Sequence, residues 1–243
     1  MTSPTTRLLV SVRDVEEART ALDEGVDLID LKEPNVGALG RVTDSVATEV
    51  AVLVAGRAPL SMALGELTDY FPTDKALAPV RALGEIPSGV GFVKLGLAGC
   101  GPRRNWTRGW QLLARQFPPG VQRVFVAYAD NAEATSPAIE QVIEEASRAE
   151  ARAVLVDTFT KDGRGLFDFW DAAALRRFTA KVRQRGMLAV VGGGLTLDTI
   201  PQAAAAGADY VAVRGAACDG PRTGRVDAAR IRQIRRILHR VSS

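Results

Sequence analysis

The stretch DLIDLKEP at residues 27–34 decides how the rest of the chain is interpreted. Its apolar residues are typical of a buried strand, and side chains along a strand alternate between its two faces. Asp30 and Lys32 therefore share one face, whereas Ile29 and Leu31 share the other. If helices cover the apolar face, a carboxylate and an ammonium group point into the interior. Buried charges are costly unless they are paired or used, and this segment alone leaves both roles open.

Strand-like and helix-like segments alternate along the chain on both sides of this stretch. We predict strands at 7–12, 27–32, 59–65, 91–95, 122–129, 153–157, 187–191 and 209–214. The intervening helices are predicted at 14–25, 43–55, 72–83, 102–117, 136–149, 171–185 and 198–206, with a last helix at 227–241. Asp14 and Thr43 stand where helix-capping residues are expected.

These alternations predict a parallel sheet with right-handed crossovers. In a chain of 243 residues they fit a closed barrel better than an open doubly wound sheet. No glycine-rich dinucleotide fingerprint follows the first strand, which also argues against the open sheet. We therefore predict an α/β protein with one domain over residues 1–243, a single (β/α)8 TIM barrel.

The amino-acid composition argues against several classes of protein. The chain has no apolar run of about 18 residues and no apolar leader before Arg7, so we expect a cytoplasmic protein without a membrane span. Cys100 and Cys218 are too few for a disulfide framework or a cysteine zinc site. The net charge of +3 is weak support for nucleic-acid binding but suits small anionic substrates.

Histidine and lysine are both scarce. The only histidine, His239, lies near the C-terminus, which argues against histidine catalysis and histidine metal sites. Of the 31 basic residues five are lysine and the rest arginine. Arginine stays protonated, whereas lysine can lose its proton and act as a nucleophile or base. The positions of the lysines therefore carry information about chemistry.

In barrels of this kind the active site lies at the C-terminal ends of the strands. The polar residues predicted there are Asp30, Lys32, Lys94, Tyr128, Asp130, Asp157, Lys161 and Arg214. Three of the five lysines thus fall at the catalytic end. Lys75 and Lys181 lie in predicted helices instead.

Lysines and aspartates that lie close together in a barrel mouth can form an imine and transfer protons. A neutral amine attacks a carbonyl, and a second cation in a partly dry pocket lowers its pKa. A carboxylate or second lysine then moves protons during carbinolamine dehydration and carbon–carbon bond formation. The set predicts a Schiff-base route without choosing among Lys32, Lys94 and Lys161. The alternative is a polar network that only fills the barrel mouth.

Glycine-rich turns follow the last two predicted strands. Many barrels bind a phosphate with these loops, where glycine lets backbone N–H groups approach the oxyanion. We predict phosphate-binding residues at Gly193, Gly194, Arg214, Gly215 and Ala216. Turn geometry alone is the alternative explanation for the glycines.

The last predicted helix alternates arginine with apolar residues. Ile231, Ile234, Leu238 and Val241 have helical spacing, which favours a barrel helix with a solvated basic face. A nucleic-acid patch on the arginines is the alternative, and we expect no nucleic-acid partner.

The sequence resembles the (5-formylfuran-3-yl)methyl phosphate synthase family, also called 4-(hydroxymethyl)-2-furancarboxaldehyde-phosphate synthase. The matching segments are LLVSVRDVEEA, DLIDLKEPNVGALG, FVKLGL, AYAD, VDTFTKDGRGLFDF, DYVAVRGAACDG and GRVD. The residues at about 66–90 and 101–120 match poorly and are expected in the outer helical layer.

The resemblance implies a (β/α)8 barrel of methanofuran biosynthesis that condenses two molecules of glyceraldehyde 3-phosphate, with loss of one phosphate and water. It implies that Lys32 forms the Schiff base and that Lys161 with Asp157 transfers protons. Lys94 and Asp30 would assist, and Arg214 with the loops at Gly193 and Gly215 would hold phosphate. No cofactor or metal is expected.

Two alternative functions are also compatible with the sequence. A class I aldolase acting on another phosphosugar would use the same lysine without eliminating phosphate. A non-catalytic barrel that binds a phosphometabolite or RNA has no need of paired lysines and carboxylates. The residues leave the oligomeric state open, so a homo-oligomer stays an option.

Overall fold

The computed structural model describes residues 5–73 and 78–242. Within them eight parallel strands close into a barrel in chain order, with the first strand paired to the last. This closure confirms the predicted (β/α)8 barrel. The strands are β1 (Arg7–Val12), β2 (Leu28–Leu31), β3 (Leu60–Glu66), β4 (Val90–Gly96), β5 (Gln122–Tyr128), β6 (Ala153–Asp157), β7 (Leu188–Val191) and β8 (Tyr210–Val213).

Helices connect the strands and cover the outer face of the barrel. Asp14, Thr43 and Asp171 each accept a hydrogen bond from a backbone N–H three residues later, which satisfies a donor that the first turn leaves unpaired. None of the described helices is long and apolar enough to cross a membrane. The helices are α1 (Val15–Asp23), α2 (Asp44–Val54), α3 (Leu67–Tyr70), α4 (Trp106–Ala114), α5 (Ile139–Arg148), α6 (Leu166–Phe169), α7 (Ala172–Gln184), α8 (Ile200–Ala205) and α9 (Ala228–Ser242).

Each strand sends one row of side chains into the barrel and the other row under the helices. Ile29 and Leu31 pack in the layer between strands and helices. Leu28 belongs to the cluster inside the barrel, and the Asp30 carboxylate is hydrogen-bonded there to side chains of β1, β3 and β4. The faces predicted for the second strand are therefore confirmed.

The barrel interior changes from apolar to polar along the strands. Its apolar part contains Leu9, Leu28, Phe92, Val124, Val126, Ala153, Leu155, Val190 and Tyr210. Toward the C-terminal ends of the strands the buried residues become polar, and they include Ser11, Asp30, Lys32, Ser61, Lys94 and Asp157. The charged groups are thereby gathered at one end of a packed interior.

The predicted helix at 72–83 is wrong for residues 72–73 and 78–83, which form bends and irregular backbone. Proline at position 79 lacks an N–H donor and disfavours helical backbone in the residue before it. Among the described residues of this connection, only the four-residue α3 is helical. Residues 74–77, and with them Lys75, lie outside the described part of the chain. The other predicted elements agree with the structure to within a few residues.

The helix α9 packs on the barrel largely as predicted. Ile231, Ile234 and Leu238 are buried, but Val241 in the last turn is 40% exposed, so its assignment to the packed row was wrong. Arg232 pairs with Glu24 of the segment after α1. Part of the basic face is therefore used in helix packing, while the absence of a nucleic-acid partner stays a prediction.

Candidate active site

The C-terminal mouth of the barrel holds a cavity of about 480 Å³. Of the residues that were assigned a catalytic or phosphate-binding role, Asp30 alone does not line this cavity, because it is fully buried beneath Lys94. Tyr128 and Asp130, which were also predicted at this end of the barrel, do not line it either. The predicted residues that do line it are Lys32, Lys94, Asp157, Lys161, Gly193, Gly194, Arg214, Gly215 and Ala216. The fold thus brings together residues that are spread over most of the chain.

Asp30 on β2 and Lys94 on β4 form a buried ion pair, with 2.7 Å between Nζ of the lysine and Oδ2 of the carboxylate. Ser11 donates a hydrogen bond of 2.8 Å to the same oxygen, and Ser61 donates one of 2.6 Å to Oδ1. Both oxygens of Asp30 are therefore engaged. Hydrogen bonds of this kind compensate the cost of burying the charges.

Asp157 at the end of β6 forms ion pairs with two lysines. Its Oδ1 lies 3.1 Å from Nζ of Lys161 and accepts a 2.8 Å hydrogen bond from the backbone N–H of Thr158. Its Oδ2 lies 3.9 Å from Nζ of Lys32. Burial favours the neutral acid, but the two ammonium groups outweigh it and hold the pKa of Asp157 below its usual range. Asp157 is thus an ionised carboxylate.

The surroundings of Lys32 shift its amine toward the neutral state. The residue is only 7% exposed, and this burial lowers its pKa from 10.5 to about 8. Asp157 acts in the opposite direction, whereas the positive charge of Lys94 lowers the pKa further. With a pKa of about 8, roughly a tenth of Lys32 is neutral at pH 7. The amine is therefore available as a nucleophile near neutral pH.

Asp130, which the sequence placed at the end of the fifth strand, anchors the loop that carries Lys161. Its two carboxylate oxygens accept hydrogen bonds of 2.8 Å from the backbone N–H groups of Phe159 and Thr160. Asp130 is buried and does not line the cavity. Its contacts therefore hold the Lys161 loop in place.

Glu66 and Tyr128 form a further polar pair near the barrel mouth. The tyrosine hydroxyl donates a 2.6 Å hydrogen bond to Glu66, and the backbone N–H of Ala98 donates one of 2.9 Å. Burial raises the pKa of Glu66 despite these bonds. The predicted third strand ended at Gly65, so Glu66 was not among the predicted site residues. The position of Glu66 at the end of a strand could have indicated it.

The glycines after β7 are required by close packing. Gly193 and Gly194 have positive φ values of 89° and 61°. A Cβ atom on Gly193 would lie 3.1 Å from the backbone nitrogen of Thr158, and one on Gly194 would lie 3.0 Å from Cα of Gly165. The alternative explanation from turn geometry thus has direct support, and phosphate binding by these residues stays a prediction.

All five N–H donors of the Arg214 guanidinium are hydrogen-bonded to other residues of the protein. A guanidinium has five N–H donors, and those of Arg214 reach both carboxylate oxygens of Glu17 and the carbonyl oxygens of Ser11, Arg222 and Gly224. No donor is left for a substrate oxygen in this arrangement. The predicted role as a direct phosphate ligand therefore conflicts with the hydrogen bonding of Arg214, which fits a role in positioning the loop after β8.

Several residues in or near the cavity were not predicted from the sequence. Ser11 and Ser61 face the barrel interior, so strand alternation was a signal for both. Arg222 lines the cavity from an irregular loop that offers no such periodic signal. Within the described ranges, no three histidine, cysteine, aspartate or glutamate side chains are grouped to hold a metal ion. The expectation that no metal or cofactor is needed stays a prediction.

The fold and the site geometry define the chain as a (β/α)8 barrel with a lysine–carboxylate cluster in its C-terminal mouth. A family model described as 4-HFC-P synthase matches residues 8–235. The protein therefore belongs to the 4-HFC-P synthase family.

Relatives agree with this assignment, and a solved structure shares the fold. A (5-formylfuran-3-yl)methyl phosphate synthase of Methanosarcina mazei is 32% identical over 225 residues, covering 89% of this chain and 92% of the relative. An enzyme of the same name from Methanococcus maripaludis is 33% identical over 237 residues, covering 93% and 97%. Phosphoribosyl anthranilate isomerase from Thermotoga maritima superposes with a TM-score of 0.63 at 15% identity, over 96% of this chain and 98% of that one, which shows the shared fold alone.

Replacing Glu17 by alanine should strongly destabilise the protein. The change leaves the buried guanidinium of Arg214 without its carboxylate, and breaking a buried ion pair costs about 3–5 kcal/mol. Chemical denaturation measures the free energy of unfolding. Glu16→Ala is the matched control, because its pair with Arg225 is exposed and should matter little. Equal effects of the two substitutions would contradict the structural role of the Glu17 contact.

The reactivity of Lys32 should rise with a midpoint near pH 8, since only the neutral amine attacks an electrophile and its pKa is about 8. Asp157→Asn should lower this midpoint, because the carboxylate of Asp157 raises the pKa of Lys32. Trace acetylation at a series of pH values, read by peptide mass spectrometry against Lys181, whose side chain is 41% exposed, measures both midpoints. A midpoint near the ordinary value of 10.5 would show that burial does not perturb Lys32.

Proposed function

We propose that the protein condenses two molecules of glyceraldehyde 3-phosphate into (5-formylfuran-3-yl)methyl phosphate, with loss of inorganic phosphate and water, in methanofuran-type cofactor biosynthesis. One observation carries this proposal: a buried lysine amine with a pKa of about 8 lies beside an ionised carboxylate and a second lysine. Membership of the 4-HFC-P synthase family and the names of the relatives support the furan product.

Lys32 is the proposed nucleophile. Its neutral amine attacks the aldehyde carbon of the first substrate, and the carbinolamine loses water to form an imine. The protonated imine makes the adjacent C–H bond acidic, so loss of that proton gives an enamine. The enamine electron pair then either expels phosphate from the next carbon or attacks the aldehyde of the second substrate.

Asp157 and Lys161 are the proposed proton-transfer pair. The carboxylate is held ionised, 3.9 Å from the amine of Lys32 and 3.1 Å from that of Lys161. It accepts protons as the carbinolamine forms, and the ammonium group of Lys161 donates protons to departing oxygen atoms. Lys94 and Asp30 assist from below, where the positive charge of Lys94 helps to lower the pKa of Lys32.

The size and charge of the cavity support small phosphorylated substrates. A volume of about 480 Å³ lies within the range of pockets for small molecules. Glycine backbone from the loops after β7 and β8 lines it, together with the side chains of Lys32, Lys94 and Lys161. These groups offer positive charge and N–H donors to phosphate oxygens, as the loops of many barrels do.

Replacing Lys32 by arginine should abolish turnover, by a factor on the order of a thousand or more, since arginine keeps the charge but cannot form an imine. Borohydride reduction with glyceraldehyde 3-phosphate should leave an adduct on Lys32 of the wild-type protein, detected by peptide mass spectrometry. Lys181→Arg, on the exposed side of α7, is the control and should keep full activity. An adduct on another lysine would remove the proposed role of Lys32.

Incubation with glyceraldehyde 3-phosphate should release one equivalent of inorganic phosphate for each furan formed. Phosphate release and the mass of the product are measured in the same sample. A class I aldolase would form a larger sugar phosphate through the same imine without releasing phosphate. Condensation without phosphate release would therefore favour that alternative over the furan synthase.

A further inference from the structure

The loop between β8 and α9 places a second arginine at the cavity, and this arginine differs from Arg214 in its hydrogen bonding. Arg222 is partly buried and lines the cavity. Its Nη1 donates a 2.7 Å hydrogen bond to the carbonyl oxygen of Pro34, and its Nη2 donates one of 3.2 Å to that of Gly37. These bonds use two of the five N–H donors of a guanidinium. The other three have no protein partner among the described residues.

Arg222 also lacks an anionic partner. No carboxylate oxygen of the described chain lies within 4.0 Å of its guanidinium, whereas Arg214 beside it is paired with Glu17. Burial lowers the pKa of Arg222, the carboxylate of Asp157 acts in the opposite direction from a distance, and the like charge of Arg214 lowers the pKa further. A buried cation is costly when unpaired. The guanidinium thus has free donors and no ion-pair partner among the described residues, and it lies at the surface of the cavity.

The position of Arg222 is fixed from both sides. The Nε of Arg214 donates a 2.9 Å hydrogen bond to the carbonyl oxygen of Arg222 and so holds its backbone, which packs beside Gly215. The bonds to Pro34 and Gly37 hold the guanidinium against the loop that follows Lys32. The side chain therefore spans the distance between the glycine loop of β8 and the loop next to Lys32.

From these contacts we propose that Arg222 forms an anion-binding subsite that takes the phosphate of the second glyceraldehyde 3-phosphate molecule, and that Arg214 positions it. The proposal rests on the proposed function, in which two phosphorylated substrates need two anion subsites. The glycine loops at 193–194 and 215–216 supply one of them, and the guanidinium supplies the other. Its free N–H groups match the oxygen atoms of a phosphate, which guanidinium groups bind in a fork.

Titration of the full chain with inorganic phosphate tests the subsite without requiring turnover. Arg222→Gln should weaken phosphate binding roughly tenfold or more, as expected for loss of a charge-assisted contact. Arg225→Gln is the matched control, since it removes the same charge from the same loop outside the cavity lining. Unchanged binding in Arg222→Gln, or an equal loss in the control, would overturn the proposal. Arg222→Lys keeps the charge and should bind with intermediate affinity, which keeps the test decisive if the glutamine variant fails to fold.

Reductive trapping separates phosphate binding from a purely structural role of Arg222. Arg222→Gln should leave trapping of glyceraldehyde 3-phosphate on Lys32 unchanged, because the phosphate of the first substrate is held at the glycine loops, but should raise the substrate concentration needed for furan formation roughly tenfold. A fall in trapping would mean that Arg222 only holds the loop after Lys32, and the subsite would be rejected. If the wild-type protein traps no glyceraldehyde 3-phosphate, the proposed Schiff-base function fails, and the phosphate titration still decides the subsite.

Discussion

Three lysine amines share two carboxylates inside the barrel, and the character of the site depends on how these charges are divided. Asp30 is committed to Lys94 at 2.7 Å and to two serine hydroxyls. Asp157 lies closer to Lys161, at 3.1 Å, than to Lys32, at 3.9 Å. Lys32 is therefore left with the longest ion pair in a buried position. Its pKa falls to about 8 because burial outweighs the compensation that it receives.

The barrel maintains this division of charge because the groups come from β2 and the residue that follows it, from β4 and β6, and from the loop after β6. A shift of one strand by one residue would turn its side chains to the opposite face, so the register of the closed sheet fixes which charges meet. Loops complete the arrangement and are themselves held by buried carboxylates. Asp130 binds the backbone after β6, and Glu17 with Arg214 binds the loop after β8. The irregular connections around the cavity thus have defined positions.

Predictions from the sequence succeeded where the determining pattern is local. Alternation along β2 put Asp30 and Lys32 on the inner face, because a strand has a period of two residues. Strand–helix alternation then placed Lys94 and Lys161 at the same end of the barrel. Arg214 was also correctly placed at a strand end, but its proposed phosphate contact conflicts with a carboxylate 197 residues away in the chain, which no local pattern reveals.

The sequence by itself determined the barrel, the end of it that carries the polar residues and the lysines that face inward, since hydrophobic periodicity and residue order specify all three. Only the tertiary structure decided which lysine pairs with which aspartate, because such distances depend on strand register and side-chain packing across the barrel. It also decided that Arg214 is saturated while Arg222 keeps free donors. Two arginines with the same chemistry differ because the partners that surround them come from distant parts of the chain.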